Sequence, residues 1–502
     1  MRFRHTLPIG VVLCGIAAGT AALSGEPPLR LLAAGCWGTP GDDDLQGGAE
    51  APDGTIYLVG NTGQAAGGLP GGVVARVFGE RAAAPRCGRG FVAHFSNDLA
   101  RLLHYAEFAE GLAIFTSVQV NGHGVYVSGY ASAALEGLLT DRGGLLTAYP
   151  LKTEVQLIEE GRILEANGLK GKDPIADRPG LGRHGAPCVL RLSPDLQTLQ
   201  SGTYLEGWQQ VWDKHRVKVI KPREMFPPEY FWQPTALALL KCGDLIVGHD
   251  GGYFRLLTAK DRQLAGGNED LYSRLAFYDC CDWVSRLSPD LSRRVWQRAI
   301  HTPAVNPEIA REVRNGWPLP HYGNPRTVRL RLDSEEHVYL GGWSASQTAQ
   351  EPWWSPYVWK LDPEKGEPVW KAYEYDPMSG TDRRMNGTVA DTAIGTVALD
   401  ADRNLLVGLY ADGGNTVMGW SPQAELGRRF EGPLQNPVGV KLVHWWGMIH
   451  RIHAQTREGM AGVRMATKGR GAAGPAWVVD LASLPNNGVL AVGRCNLDDH
   501  WS

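Results

Sequence analysis

The sequence predicts an all-β chain built from a repeated four-stranded antiparallel unit. Three observations carry that prediction. A glycine-ended hairpin pattern recurs six times along the 502 residues, and a second hairpin pattern with a Ser/Asp-Pro turn recurs between its copies. The chain also holds 63 glycines and 17 tryptophans, which suits many tight turns joining short, well-packed strands.

The first hairpin is clearest at 326–343 (RTVRLRLDSEEHVYLGGW), and its copies lie at 47–60, 116–129, 235–248, 395–408 and 478–493. Each alternates small or apolar residues, turns on Asp, Asn or Gly, and leaves through a β-branched or aromatic run. Its strands are named A and B, and B closes on Gly60, Gly129, Gly248, Gly342, Gly408 and Gly493. The second hairpin, strands C and D, reads at 91–105, 188–204, 283–297 and 357–371, with a weaker copy at 416–430. Proline at the first central turn position fits a type I turn. Four strands repeated six times, none able to bury both faces alone, predict a single β-propeller of six four-stranded blades. Residues 436–468 read either as a capping insertion or as a degenerate hairpin that makes a seventh blade. Thr153 to Asn167 has the stripe of a short helix lying in an insert.

Asp53-Gly54 with Tyr57-Leu58-Val59-Gly60, Gly124 with Tyr126-Val127-Ser128-Gly129, and Gly41-Asp42-Asp43 carry a resemblance. On them the chain resembles the bacterial secreted β-propeller repeat proteins, in which a D-x-x-G turn precedes a Y-V-x-G strand. The resemblance implies a fold and no particular chemistry. Leu245, Leu405 and Leu490 stand near where that repeat has Tyr.

Residues 1–24 read as a signal peptide: Arg2 and Arg4, an apolar run from Ile9 to Ala22, and a small-residue cleavage site. Export to the periplasm, the cell surface or the medium is expected, and nothing else is apolar enough to span a membrane as a helix. Residues 25–502 are then one propeller, closed by pairing 29–38 with the hairpin 478–493, which brings Cys36 and Cys495 to the same end of one blade. The other cysteines, Cys87, Cys188, Cys242, Cys280 and Cys281, form no CxxC, so zinc ribbons, thioredoxin-type redox and attached haem are unsupported. A net charge of −3 gives no electrostatic reason to propose nucleic acid or an acidic membrane.

Long links fall only between B and C and between D and A, which emerge at the same end of a blade. That end is the expected working face. Where A strands enter it stand Asp44, Gln46, Gln233, Asn324, Arg326 and Asp391; where B strands leave it stand Asn61, Tyr130, His249, Asp250 and Trp343. Carboxylates, amides, an imidazole and aromatics around one axis suit a small polar ligand such as a sugar, and His249-Asp250-Gly251-Gly252 is the sharpest group. Each residue taken singly is better explained by satisfying loop backbone groups.

His444, His450 and His453 lack a ligand string, and on a strand 450 and 453 point to opposite faces, so no metal is expected. There is no G-x-S-x-G elbow, P-loop or dinucleotide fingerprint, and no cofactor is expected. Leu361 to Trp370 and Cys280-Cys281 resemble the tryptophan-docking repeat and adjacent cysteines of quinone-cofactor dehydrogenases. A D-strand Trp packed between blades accounts for that match without a cofactor. Trp359 is assigned to a blade interface, while Trp353 and Trp354 fit either packing or sugar stacking. The leading expectation is an exported, non-enzymatic propeller that binds a ligand, glycan or protein partner. Its rival is a propeller hydrolase, lyase or quinone-type oxidoreductase using polar residues of the central funnel.

Overall fold

The computed structural model describes residues 43–131, 186–205, 235–253, 280–300, 324–347, 352–373, 392–411 and 446–495, with short breaks, and a few short pieces between them. The predicted helix at 153–167 lies outside the described residues. Nearly all the regular structure among the described residues is β.

Two compact units divide the chain. Leu31–Asn386 holds four antiparallel sets of A, B, C and D strands, called sheets below, the first two joined by one parallel pairing of Arg89 with Ala113. The first is Asp43–Glu50, Ile56–Thr62, Arg89–Phe95 and Leu102–Phe108, and the second Ala113–Asn121, Gly124–Ala131, Ala186–Leu192 and Leu199–Tyr204. The third is Ala236–Leu239, Leu245–Tyr253, Cys280–Leu287 and Arg294–Ile300, and the fourth Asn324–Leu332, Val338–Gln347, Pro352–Leu361 and Pro368–Ala372. Within this unit each A strand lies beside the A strand of the next sheet, the inner-strand contact of a β-propeller. The other unit, Met1–Arg30 with Gly387–Ser502, holds a fifth sheet and a sixth A–B hairpin, Ala476–Ser483 with Val489–Cys495, whose A strands are again neighbours.

The fifth sheet corrects one expectation. Its strands are Thr392–Leu399, Leu405–Ala411, Trp446–Ile452 and Gly459–Met465, so the C–D hairpin lies at 446–465 and not at 416–430. Ser421-Pro422 imitates the turn, whereas the real turn has no proline. His453 caps it instead, its Nδ1 accepting the backbone N–H groups of Gln455 and Thr456. Residues 446–465 are thus part of the fifth sheet and make no seventh blade.

Some of the long B-to-C links do structural work. Ala75–Phe78, Leu145–Leu146 and Leu434–Gln435 each add a parallel strand to the outer edge of the first, second and fifth D strands. A covered edge offers no free ladder for another chain to join. The outer edge of Val489–Ala491 is paired by Cys14–Ile16, inside the stretch read as a signal peptide. The segment 29–38 and Cys36 lie outside the described residues.

The A strands carry a bulge at the same place in five hairpins, and it refines the glycine pattern. Gly60, Gly129, Gly342 and Gly493 pair just beyond the bulge, with Leu45, Phe115, Thr327 and Val478. In the fifth sheet Leu409 takes that position and Gly408 falls one residue nearer the turn. The third sheet has the same spacing, because its turn closes at Asp244 and only four residues separate it from Gly248. His249 therefore stands where the first, second, fourth and sixth hairpins have glycine and the fifth has Leu409. The tight position explains the residue type: a Cβ on Gly129 would sit 1.9 Å from the Ile114 carbonyl oxygen.

The C–D turns are built by their Ser and Asp side chains. Ser288 Oγ donates to Asp290 Oδ1 at 2.6 Å and accepts from the Arg293 N–H, and Ser96 and Ser193 repeat the pattern with Asp98 and Asp195. Leu99, Leu196 and Leu291 follow at φ near +60°, and the last two are fully buried. The same turn in the fourth sheet ends on Gly366, at φ +67°, under the ring of Trp296 from the third sheet. Trp296 Nε1 donates to the Pro363 carbonyl at 2.8 Å. Trp359, also buried, belongs to the core shared by the third and fourth sheets. Inter-sheet packing is thus the described role of both tryptophans.

A Cβ at Gly366 would lie 2.7 Å from the Trp296 ring. Gly366→Ala is expected to cost about 1–3 kcal/mol through overpacking and a disfavoured φ. Chemical denaturation measures it, and an unchanged midpoint would place the ring elsewhere.

Candidate functional site

The end of each sheet where A strands begin and B strands finish was expected to gather the binding residues. Asp44 pairs with Asn61 across the first A–B ladder, Arg326 with Trp343 and Asn324 with Ala345 across the fourth, and Asp250 with Asp282 in the third. These backbones do reach that end of their sheets. Gln233 and Asp391 lie outside the described residues, as do His444 and the link 254–279.

The described side chains there are engaged in packing. Asn61 is buried and acts as a backbone mimic: its Nδ2 donates to the Phe115 carbonyl at 3.2 Å and its Oδ1 accepts the Phe115 N–H at 3.0 Å. It stitches the first B strand to the second A strand. Gln46 is the extra residue of the first bulge. Next inward, the Thr116 and Thr235 hydroxyls lie 2.8 Å apart, and Thr235 donates to Ser128 Oγ at 2.5 Å, joining the second and third sheets. Tyr130, His249 and Trp343 are buried, His249 at 1% exposure. Because the third B strand reaches its glycine one residue early, Asp250 and not His249 is the counterpart of Asn61, Tyr130 and Trp343.

The opposite end of the sheets holds a repeated polar device that the sequence patterns did not flag. The residue just before the C–D bulge is basic in every complete sheet: His94, Arg191, Arg286, Lys360 and Arg451. In the third, fourth and fifth sheets it meets a carboxylate from the A–B turn. Arg286 Nε lies 2.7 Å from Asp244, Lys360 Nζ 3.3 Å from Asp333, and Arg451 Nε 3.1 Å from Asp400. In the first two sheets Tyr57 and Tyr126 occupy the facing B position and reach the next sheet. Tyr57 Oη donates to the Pro194 carbonyl at 2.7 Å, and Tyr126 Oη to that of Pro289 at 3.0 Å. Arg286 does the same from the third sheet, donating to the Pro363 carbonyl at 3.0 Å. The prolines of the second, third and fourth C–D turns, Pro194, Pro289 and Pro363, are thus acceptors of latches from the preceding sheets. The recurring FVAHF, CVLRL, WVSRL, YVWKL strings held the signal.

In the first sheet this device becomes a chain of titratable groups. Thr55 Oγ1 is 2.6 Å from Asp53 Oδ1 and 2.8 Å from His94 Nε2, while His94 Nδ1 is 2.9 Å from His104 Nδ1. Tyr57 stacks on His94 with centroids 4.0 Å apart. Burial, and then the neighbouring His104, hold the His94 imidazole down to about 4. The Thr55 hydroxyl and N–H keep Asp53 below the usual carboxylate range.

The fifth sheet buries His450 completely, with Phe430 packed on its ring at 4.4 Å. Burial, and then the Arg464 charge, lower it to about 3. Among the described residues no group of three His, Cys, Asp or Glu side chains is arranged to hold a metal ion. Cys188 is buried, whereas Cys242 is exposed with its sulfur 3.7 Å from Arg286. No helix among the described residues is long and apolar enough to cross a membrane.

No protein-family model and no curated protein matches the chain. Solved β-propeller structures align with it at low identity. The α-L-arabinofuranosidase of Fusarium graminearum is 11% identical over 90% of this chain and 92% of its own, with a TM-score of 0.33. A europium-containing methanol dehydrogenase is 9% identical over 82% and 67%, at 0.31. The cobalt-substituted ACO of Synechocystis is 10% identical over 88% and 61%, at 0.28. Similarity this shallow assigns neither family nor activity.

His450 makes the smaller unit acid-sensitive. Its folded-state pKa is depressed, so the unfolded chain binds the proton first, and the stabilisation present above pH 6.5 is lost as pH falls toward 3. Denaturation of the intact protein monitored by hydrogen exchange in 446–465 is expected to weaken across that window. His450→Phe flattens the dependence; an unchanged slope in that variant refutes the assignment.

Proposed function

We propose that the chain is an exported, non-catalytic β-propeller of the secreted repeat type. Its working surface is the link-bearing face, which takes a small polar ligand of the glycan class or a protein partner. The observation that carries this reading is the contrast between the two ends of each sheet. At the turn end, the described carboxylates, hydroxyls and prolyl carbonyls are engaged by their own turns and by the next sheet. At the other end, the Asn61 and Thr116–Thr235 stitches form a floor, and the long links begin and end there. A stiff scaffold that presents variable links is how binding surfaces are ordinarily carried. With His249 buried, recognition falls to Asp44, Gln233, Asp250, Asn324, Arg326 and Asp391, beside Trp343.

The test is binding of the mature protein to a panel of neutral and acidic oligosaccharides by calorimetry, with hydrolysis followed in parallel. A variant in which 254–279 is replaced by a short Gly-Ser link is expected to keep its unfolding midpoint, because closure entropy changes slowly with length. It is expected to lose at least tenfold in affinity for the saccharide that the parent binds. Turnover of any saccharide by the parent, or undiminished binding by the variant, contradicts the proposal.

A further inference from the structure

Hydrogen-bond directions in the first sheet locate its protons. Asp53 is ionised and accepts only, so the Thr55 hydroxyl hydrogen points to Oδ1. Thr55 Oγ1 is left as the acceptor of His94 Nε2–H. A neutral His94 protonated on Nε2 presents a bare Nδ1, which takes the Nδ1–H of His104 across 2.9 Å. The pair therefore holds one hydrogen between its rings. A further proton on His104 Nε2 leaves every one of these bonds intact. A proton on His94 Nδ1 is also accommodated while His104 is neutral, because His104 can hold its hydrogen on Nε2 and accept at Nδ1; once both rings are fully protonated, two N–H groups meet head-on and the rings must part.

The His94 ring cannot move alone. Tyr57 lies flat on it, with an interplanar angle of 8°, and the Tyr57 hydroxyl is the donor to Pro194 of the second sheet. The titratable groups facing the pair come from four elements: Asp53 of the A–B turn, Tyr57 of the B strand, His104 of the D strand and Asp195 of the second sheet's C–D turn. Asp53 and Asp195 are already taken up by their own turns, accepting from Thr55 and from Ser193 with the Gln197 N–H. The equivalent joint one sheet on has a donor that does not titrate. Arg191 stands in the place of His94, its guanidinium 5.8 Å over the Tyr126 ring and within 3.5 Å of the Pro289 carbonyl.

We infer that the contact between the first and second sheets is an acid-opened joint, in which protonating His94 beside an already protonated His104 releases the Tyr57–Pro194 latch while the Tyr126–Pro289 latch stays shut. The pH window follows from linkage. A histidine held neutral by folding contributes its stabilisation above the unfolded value of 6.5, and loses it as pH falls toward about 4.

Hydrogen exchange on the intact chain tests this, because the two joints carry matching reporters. The Leu196 N–H is bonded to the Ser193 carbonyl and the Thr198 N–H to Ser193 Oγ; Leu291 and Arg293 make the same bonds to Ser288. Between pH 6.5 and 4, protection at Leu196 and Thr198, corrected for intrinsic rates, is expected to fall at least about tenfold relative to Leu291 and Arg293. His94→Arg, which copies the second joint, is expected to abolish the difference, and so is His104→Phe, which removes the opposing N–H. Equal loss at both turns, no loss at either, or a difference that survives His104→Phe overturns the inference. If His94→Arg does not fold, the comparison of the two turns within the natural chain still decides.

Discussion

A turn carbonyl that its own turn does not satisfy sets much of the residue choice along this chain. In the second, third and fourth sheets a proline occupies the first central position of the C–D turn, and its C=O accepts from the preceding sheet. A hydrogen bond from the neighbouring sheet to such a half-buried carbonyl contributes on the order of 0.5–1.5 kcal/mol. Tyr57, Tyr126, and Arg286 with Trp296 answer the need at the three successive joints of the larger unit. A donor long enough to cross must start from the B strand, the C strand or the D strand near the turn, which explains why aromatic and basic residues gather there. The same crossings carry stacking and ion pairing, so one geometric demand organises the whole turn end.

That demand was partly legible in the sequence. The Ser-Pro-Asp strings announced the turns, and the Tyr of the Y-V-x-G strand marked its hairpins. The purpose of that Tyr was hidden, since its acceptor lies more than a hundred residues away. The basic residue before the C–D bulge was visible in four aligned strings but reads locally as a solvated charge. The one-residue slip of the third and fifth sheets was hidden for a different reason. Their B strands are shorter between turn and glycine, so aligning on Gly248 and Gly408 places His249 one position out of phase. A register error of one residue exchanges the two faces of a strand. The fifth C–D turn was misplaced because His453 supplies the capping that Ser or Asp gives elsewhere, without the proline that flagged the others.

The two ends of the sheets have different physical tasks. The turn end is rigid, internally paired and repetitive, and its one departure, the His94–His104 pair, is also its one titratable joint among the described latches. The opposite end is fastened by Asn61 and by the Thr116–Thr235–Ser128 hydroxyls, leaving the links above to vary. Part of that link length is nevertheless structural, because Ala75–Phe78, Leu145–Leu146 and Leu434–Gln435 guard outer edges. Link length alone therefore overstates the working surface.

The dependence of inter-sheet packing on the prolyl latch is tested most directly by Tyr57→Phe at pH 8, where His94 is neutral. The substitution keeps the ring on His94 and removes only the hydroxyl donor to Pro194. Urea denaturation at equilibrium is predicted to show a loss of about 1 kcal/mol with an unchanged m-value. A variant as stable as the parent would contradict the account.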